Sequence, residues 1–360
     1  MRCYLDHNAT APLRPEAKAA MLAAMELCGN ASSIHGEGRA ARKLLDEARE
    51  AVARAVGVIA PMVVFTSGGT EANNMALKGA PVERLIVSAI EHPAVLEAAR
   101  ATGKAVEIIP VTYQGVIDLG ALEEMLPGPR ALVSVMLANN ETGVIQPVAD
   151  VVRLAQAHGA LVHTDAVQAL GKVPINFGLL GVDMMTLSAH KLGGPVGAGA
   201  LVIRDGLAVE PLLHGGGQEL RRRAGTENLA AIAGFAAVAR AGMDVKLLRD
   251  RLDAGLDGAV IFGAGADRLP NTTCFAMPGL KAETLLMALD LEGIAVSSGS
   301  ACSSGKVAKS HVLAAMGVAP EISQGAIRVS LGWNTTEGQI ETFIAAWRRQ
   351  VQRHKARAAA

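Results

Sequence analysis

Three side chains and one glycine turn each follow a short apolar run and each stand where the chain turns polar or glycine-rich. Lys191 comes after residues 184–187, Asp165 after 161–163 and His92 after 85–90; the turn Ser67-Gly68-Gly69-Thr70 comes after 63–65. Such runs read as buried strands, and ligands of α/β proteins collect at strand ends. A lysine held there can be desolvated until its free amine condenses with an aldehyde. A strand, a glycine turn and a helix start aim backbone N–H groups and the positive helix end at an anion, most often phosphate. Each feature has an ordinary structural explanation when taken singly. A lysine beyond a strand is usually solvated, and Gly-Gly-Thr is a common capped turn. An aspartate at a strand end is commonly a helix N-cap, and a single histidine there is usually hydrogen-bonded structure.

Together the four strand ends supply the set that pyridoxal 5′-phosphate needs. The lysine carries the aldehyde, and the carboxylate keeps the pyridine nitrogen protonated so that the ring accepts electrons. The imidazole stacks on the ring and moves protons, and the turn cradles the phosphate.

The elements that must position these groups follow from the pattern. Short apolar runs at 63–65, 85–90, 106–111, 132–137, 161–163, 184–187 and 200–203 alternate with helix-like segments at 71–78, 95–101, 119–125 and 148–157. This predicts an α/β domain with a mainly parallel seven-stranded sheet covered by helices. A further amphipathic helix is expected at 40–56. After about residue 241 the pattern changes: short strands at 259–262, 271–277 and 326–331 and helices at 245–256, 282–292 and 336–354 predict a smaller α+β domain. The expected division is 15–245 for the large domain, and 1–14 with 246–360 for the small one. At 360 residues two domains are reasonable. Half the residues are hydrophobic and only 3% aromatic, so the core must be aliphatic. Lys plus Arg equals Asp plus Glu at 34 each, which gives no basic footprint for nucleic acid. No run reaches the length of a membrane span, and no signal peptide is read at the start. Cys3, Cys28, Cys274 and Cys302 are too widely separated for a CxxC metal site or a disulfide framework, so a reducing cytoplasm is expected.

Five stretches then carry a resemblance over nearly the whole chain: Thr66-Ser67-Gly68-Gly69-Thr70-Glu71-Ala72-Asn73-Asn74, Asn139-Asn140-Glu141-Thr142-Gly143, Ser188-Ala189-His190-Lys191, Arg223-Ala224-Gly225-Thr226 and Ser297-Ser298-Gly299-Ser300-Ala301-Cys302-Ser303-Ser304-Gly305. In these the chain resembles the cysteine desulfurases of the NifS/IscS type, class V members of the fold-type I pyridoxal-phosphate enzymes. The resemblance implies that Lys191 carries the cofactor and shuttles the substrate proton, Asp165 pairs with the ring nitrogen, Gln168 faces the ring hydroxyl and His92 stacks on the ring. It implies phosphate contacts from Thr70, Ser188 and His190, with Thr226 reaching across from a second subunit of a homodimer. Asn140 and Arg328 are implied to hold the carboxylate of L-cysteine, and a guanidinium suits that bidentate task. Cys302, the implied nucleophile, sits among serines and glycines, where a thiol should be exposed and mobile. It would take the substrate sulfur as a persulfide, release L-alanine and pass the sulfur to an acceptor protein such as an iron–sulfur scaffold.

The chain departs from the family pattern at Ala31, where proline is usual, at Asn8, where Ala or Ser is common, and at Lys306. Cys3, Cys28 and Cys274 match no family nucleophile and read as structural. Two other readings compete: another class V enzyme (an aminotransferase or a selenocysteine lyase), and a degenerate member kept as a regulator or scaffold partner. A mobile thiol is of no use to a transaminase, and the intact Lys191, Asp165, His92 and Cys302 speak against degeneracy.

Overall fold

A computed structural model describes residues 2–299 and 309–359; Cys302 and Lys306 lie outside them. The chain opens with the two-residue strand β1 (Cys3–Tyr4) and helices α1 (Pro15–Met25) and α2 (Gly36–Val56). Seven strands follow: β2 (Val63–Thr66), β3 (Arg84–Ser88), β4 (Ala105–Ile109), β5 (Ala131–Ser134), β6 (Leu161–Asp165), β7 (Met184–Ser188) and β8 (Gly199–Ile203). They form one sheet in the order β2-β8-β7-β6-β5-β3-β4. Strand β8 is antiparallel to both neighbours and the remaining pairings are parallel. The mainly parallel seven-stranded sheet expected from the alternation is therefore present.

Strand composition follows from burial on both faces. Ile86 and Val133 pack with Leu45, Val52 and Val56 of α2 on one side. Leu85, Val87 and Leu132 pack on the other, with Met75 and Leu77 of α3 (Gly69–Gly79) and Val95 of α4 (Pro93–Arg100). Successive residues point to opposite faces, and since both faces are dry the strands read as continuous apolar runs. Only β4, at the sheet edge, is partly exposed. Helix α2 starts at Gly36 rather than at the expected residue 40, because the His35 ring accepts the Gly38 N–H and caps an extra turn.

The last third of the chain adds β9 (Val260–Ile261), β10 (Thr272–Ala276), β11 (Ile294–Ala295), β12 (Ser297–Ser298) and β13 (Ile327–Ser330). Four of these form an antiparallel sheet in the order β12-β13-β10-β9, while β11 pairs in parallel with β1. The two-residue strands β1, β11 and β12 carry no period and were not expected from the pattern. A second apolar core joins Cys3 and Leu5 to Phe275, Ile327, Val329, Phe343 and Trp347. In it Phe275 meets Phe343 and Trp347 edge to face, with ring centroids 6.3 Å and 5.1 Å apart. On β13, Ile327 and Val329 face this core, so Arg328 and Ser330 point the opposite way although they too are buried. Among the described residues, no helix is long and apolar enough to cross a membrane.

Candidate active site

The carboxyl ends of the parallel strands open on one cavity of about 270 Å³. Lys191, in the short turn after β7, points its Nζ at two backbone carbonyls, Asn8 O and Ala9 O, each 2.7 Å away. Asp165 ends β6. Its carboxylate accepts from Asn73 Nδ2 at 2.7 Å and from the Val167 N–H at 2.9 Å. The helix N-cap that such an aspartate often provides is absent here: no helix follows β6 at this point. Burial pushes the Asp165 pKa up, against the opposing pull of those two donors, His92 and Lys191. A cation placed against it from the cavity would restore its charge.

His92 is the N-cap of α4, and its Nδ1 accepts the Ala94 N–H at 3.1 Å. In the neutral ring the proton therefore resides on Nε2. Burial lowers its pKa, with Lys191 and His311 adding to the effect and Asp165 opposing it. The ring is thus a neutral donor around pH 7 and faces the cavity.

The opposite end is built for an anion. Helix α3 begins at Gly69 with no side chain capping its first turn, so its N-terminal amides and dipole face the cavity beside Thr70. Glycine is required at 69, since a Cβ there would lie 2.8 Å from Val167 Cγ2. Ser188, at the end of β7, and His190 line the same end. The His190 ring meets Thr10 Oγ1 at 3.3 Å, and burial with Lys191 nearby brings its pKa down to about 4.

Gln168 and Asn140 also line the cavity, and β13 delivers Arg328 to it. The Arg328 guanidinium, 1% exposed, pairs with Asp6 at 2.8 Å and donates to Asn140 O at 2.9 Å. Among the described residues its Nε has no partner. Thr226 is not brought to this cavity within one chain. It is exposed in a separate cleft beside Ser67 and Arg223. The loop before it contains three successive non-glycine residues in the left-handed region, Glu219, Leu220 and Arg221. Buried Glu219 holds this loop by a two-pronged pair with Arg49 and a bond from the Phe65 N–H. Arg223 ties it to Glu71 at the start of α3.

The Aminotransferase class-V family profile matches residues 3–343. The cysteine desulfurase of Cereibacter sphaeroides is 46% identical over 363 residues, covering 95% of this chain and 94% of the relative. The cysteine desulfurase IscS of Dictyoglomus turgidum is 41% identical over 372 residues, covering 97% and 94%. The chain belongs to the class-V aminotransferases, among the cysteine desulfurases. The X-ray structure of a NifS-like protein from Rickettsia africae superposes with a TM-score of 0.88 at 35% identity, over 97% of this chain and 99% of that one.

Some residues of this desulfurase-family site escape a reading of the sequence. Asn73 bonds the Asp165 carboxylate from the second turn of α3, and only its place in the Gly-Gly-Thr-Glu-Ala-Asn run hinted at it. Asn8, noticed as a departure, is 1% exposed and central. Its backbone oxygen takes Lys191 Nζ and Gln168 Nε2, and its side chain bonds Lys172, Asn271 and Thr272. Lys172 and Glu141 are buried ionisable groups whose only sequence signals were four-residue spacing from Gln168 and adjacency to Asn140.

Proposed function

We propose that this chain is a pyridoxal-phosphate-dependent cysteine desulfurase that takes sulfur from L-cysteine, gives L-alanine and loads the sulfur on Cys302. One observation carries the reading: the Lys191 amine, the buried Asp165 carboxylate and the uncapped start of α3 converge on a single cavity. The residues present fit the cofactor. Thr70, Ser188, His190 and the α3 amides would hold its phosphate, Asp165 its protonated ring nitrogen and Gln168 its ring oxygen. Asp165 is well suited, because its hydrogen-bond donors Asn73 and Val167 are neutral and burial disfavours its charge. When bound, the cofactor supplies an electron sink for breaking bonds at the substrate's α- and β-carbons.

The chain's own residues do the rest. Arg328 and Asn140 orient the substrate carboxylate. The Lys191 amine, held by the carbonyls of Asn8 and Ala9, moves the α-proton, and His92 donates and accepts at Nε2. Cys302, as thiolate, attacks the substrate sulfur; the carbon–sulfur bond breaks, the carbon gains a proton and the enzyme retains a persulfide. In net terms L-cysteine and the Cys302 thiol give L-alanine and the Cys302 persulfide, which then passes to an acceptor such as an iron–sulfur scaffold.

The same reading includes a homodimer, supported by the exposed Thr226 on its braced loop and its distance from its own chain's cavity. It includes the division into 15–245 and 1–14 with 246–360, supported by the two separate apolar cores. It also includes a reducing cytoplasm, in keeping with the free Cys3, Cys28 and Cys274. The protein purified with the cofactor should be yellow, and borohydride should fix the cofactor to one peptide, the one containing Lys191. Attachment at another lysine would refute the assignment.

A further inference from the structure

A second lysine lies beneath the first. Lys172 is 6% exposed, and its Nζ donates to Gln168 Oε1 at 2.6 Å and to Asn8 Oδ1 at 2.8 Å. Among the described residues no carboxylate pairs with it. Burial drives its pKa well below the usual lysine range, and the cations Lys191 and Arg328 push it the same way. A buried lysine without a counter-ion is costly. Its bonds show what it does locally. Charged or neutral, the amine offers hydrogens to both amide oxygens, and an amide has one oxygen side and one NH₂ side. With Oε1 of Gln168 fixed on Lys172, Nε2 must face away, and it donates to Asn8 O at 3.0 Å. With Oδ1 of Asn8 fixed likewise, Nδ2 turns to Thr272 Oγ1 at 2.9 Å and Asn140 O at 3.3 Å. The same Asn8 carbonyl receives Lys191 Nζ.

We propose that Lys172 is a positioning residue that fixes the amide orientation of Gln168, making it a donor toward the cofactor's ring oxygen, and anchors the Asn8 carbonyl on which Lys191 rests. This rests on the pyridoxal-phosphate reading of the cavity. Lys172 does not line the cavity; it acts through Gln168 and Asn8, which do. A hydrogen bond to the ring oxygen alters both the visible absorption of the bound cofactor and its retention, and these are readouts that packing alone would not move.

The test compares Lys172→Met, Gln168→Ala and the double variant as cofactor-loaded proteins. Methionine keeps the length and suits a buried site. Lys172→Met should shift the visible band in the same direction as Gln168→Ala and weaken cofactor retention by about tenfold. The double variant should go no further than Gln168→Ala alone, because two residues acting through one bond are not additive. A wild-type band and retention in Lys172→Met, or two effects that add, would overturn the proposal. Should Lys172→Met not fold, Gln168→Glu in the otherwise native chain decides. A lysine bonded at that position would hold the new carboxylate, so the Glu variant should melt no lower than Gln168→Ala; a markedly lower melting temperature would mean a buried, unpaired carboxylate and no such bond. Failure of the wild-type protein to bind pyridoxal phosphate would instead strike the functional reading itself.

Discussion

Arg328 illustrates what a single residue reveals at each stage. Apart from the family resemblance, the sequence showed an arginine on an alternating strand, and the structure explains the alternation: Ile327 and Val329 fill the second core while Arg328 turns to the cavity. A buried guanidinium donor left without a partner costs about 1–3 kcal/mol, and among the described residues Nε of Arg328 is such a donor. A substrate carboxylate would satisfy it together with the remaining N–H groups, which Asp6 and Asn140 O do not exhaust. Removing a charge-assisted bidentate pair costs on the order of 2–4 kcal/mol. Arg328→Ala should therefore raise KM for L-cysteine by tens- to hundreds-fold, and Arg328→Lys should recover only part of the loss, since an ammonium offers no fork. Steady-state kinetics with unchanged KM and kcat would mean that the carboxylate binds elsewhere. Lys191, Asp165 and His92 were legible because each stood at the end of an apolar run. Asn8, Asn73 and Lys172 were not, because their roles arise from contacts across as many as 264 positions of sequence, such as that of Asn8 with Thr272.

At the scale of elements, the central strands were legible to within three residues, the largest miss being the end of β5 at Ser134. At the start of β3 a polar group explains the shift. Strand β3 starts at Arg84, a charged residue whose buried guanidinium bonds the carbonyls of Met125, Leu126 and Pro129, so hydropathy alone placed the start one residue late. The two-residue strands β1, β11 and β12 exist only through their pairing. The helix His311–Ala315 is joined to the large sheet's loops by polar contacts: the Ser310 hydroxyl donates to Glu141, and His311 Nε2 lies 2.9 Å from Glu91 O. Burial raises the Glu141 pKa to about 7, against the pull of Ser310 and Arg328. The folded carboxyl thus keeps its proton up to about pH 7, while the unfolded one releases it near the model-peptide value of 4.5. Between those values the folded state binds more protons, so this group's contribution to stability falls as pH rises through the window. Glu141→Gln retains an acceptor for Ser310 and cannot titrate. Relative to wild type it should gain stability from pH 4.5 to 7, on the order of 1–3 kcal/mol. Parallel pH profiles of melting temperature for the two proteins would show that Glu141 does not titrate there.

For the whole molecule, the account requires two chains and a sulfur that leaves. Thr226 faces solvent on a loop braced by Arg49–Glu219 and Arg223–Glu71, away from its own cavity. Sedimentation should give a dimer, and Thr226→Ala should weaken cofactor retention while the melting temperature of the cofactor-free protein stays close to wild type; a fully active monomer would contradict this. The two cores and the seven-stranded sheet were foreseeable, since burial writes itself into hydropathy, whereas a site shared between chains leaves no periodic trace. Under the proposed function, desulfuration is separated from the other reactions of the class-V fold by one thiol, Cys302. A serine hydroxyl has the same size but a far higher pKa and little affinity for sulfur, so it cannot form a persulfide. The most direct measurement is the alanine and sulfide produced from L-cysteine with reductant by wild type and by Cys302→Ser. The account predicts equal amounts of both products from wild type and neither from Cys302→Ser, which should remain yellow and still change its spectrum on adding L-cysteine. Sulfide released by the serine variant at the wild-type rate would contradict it.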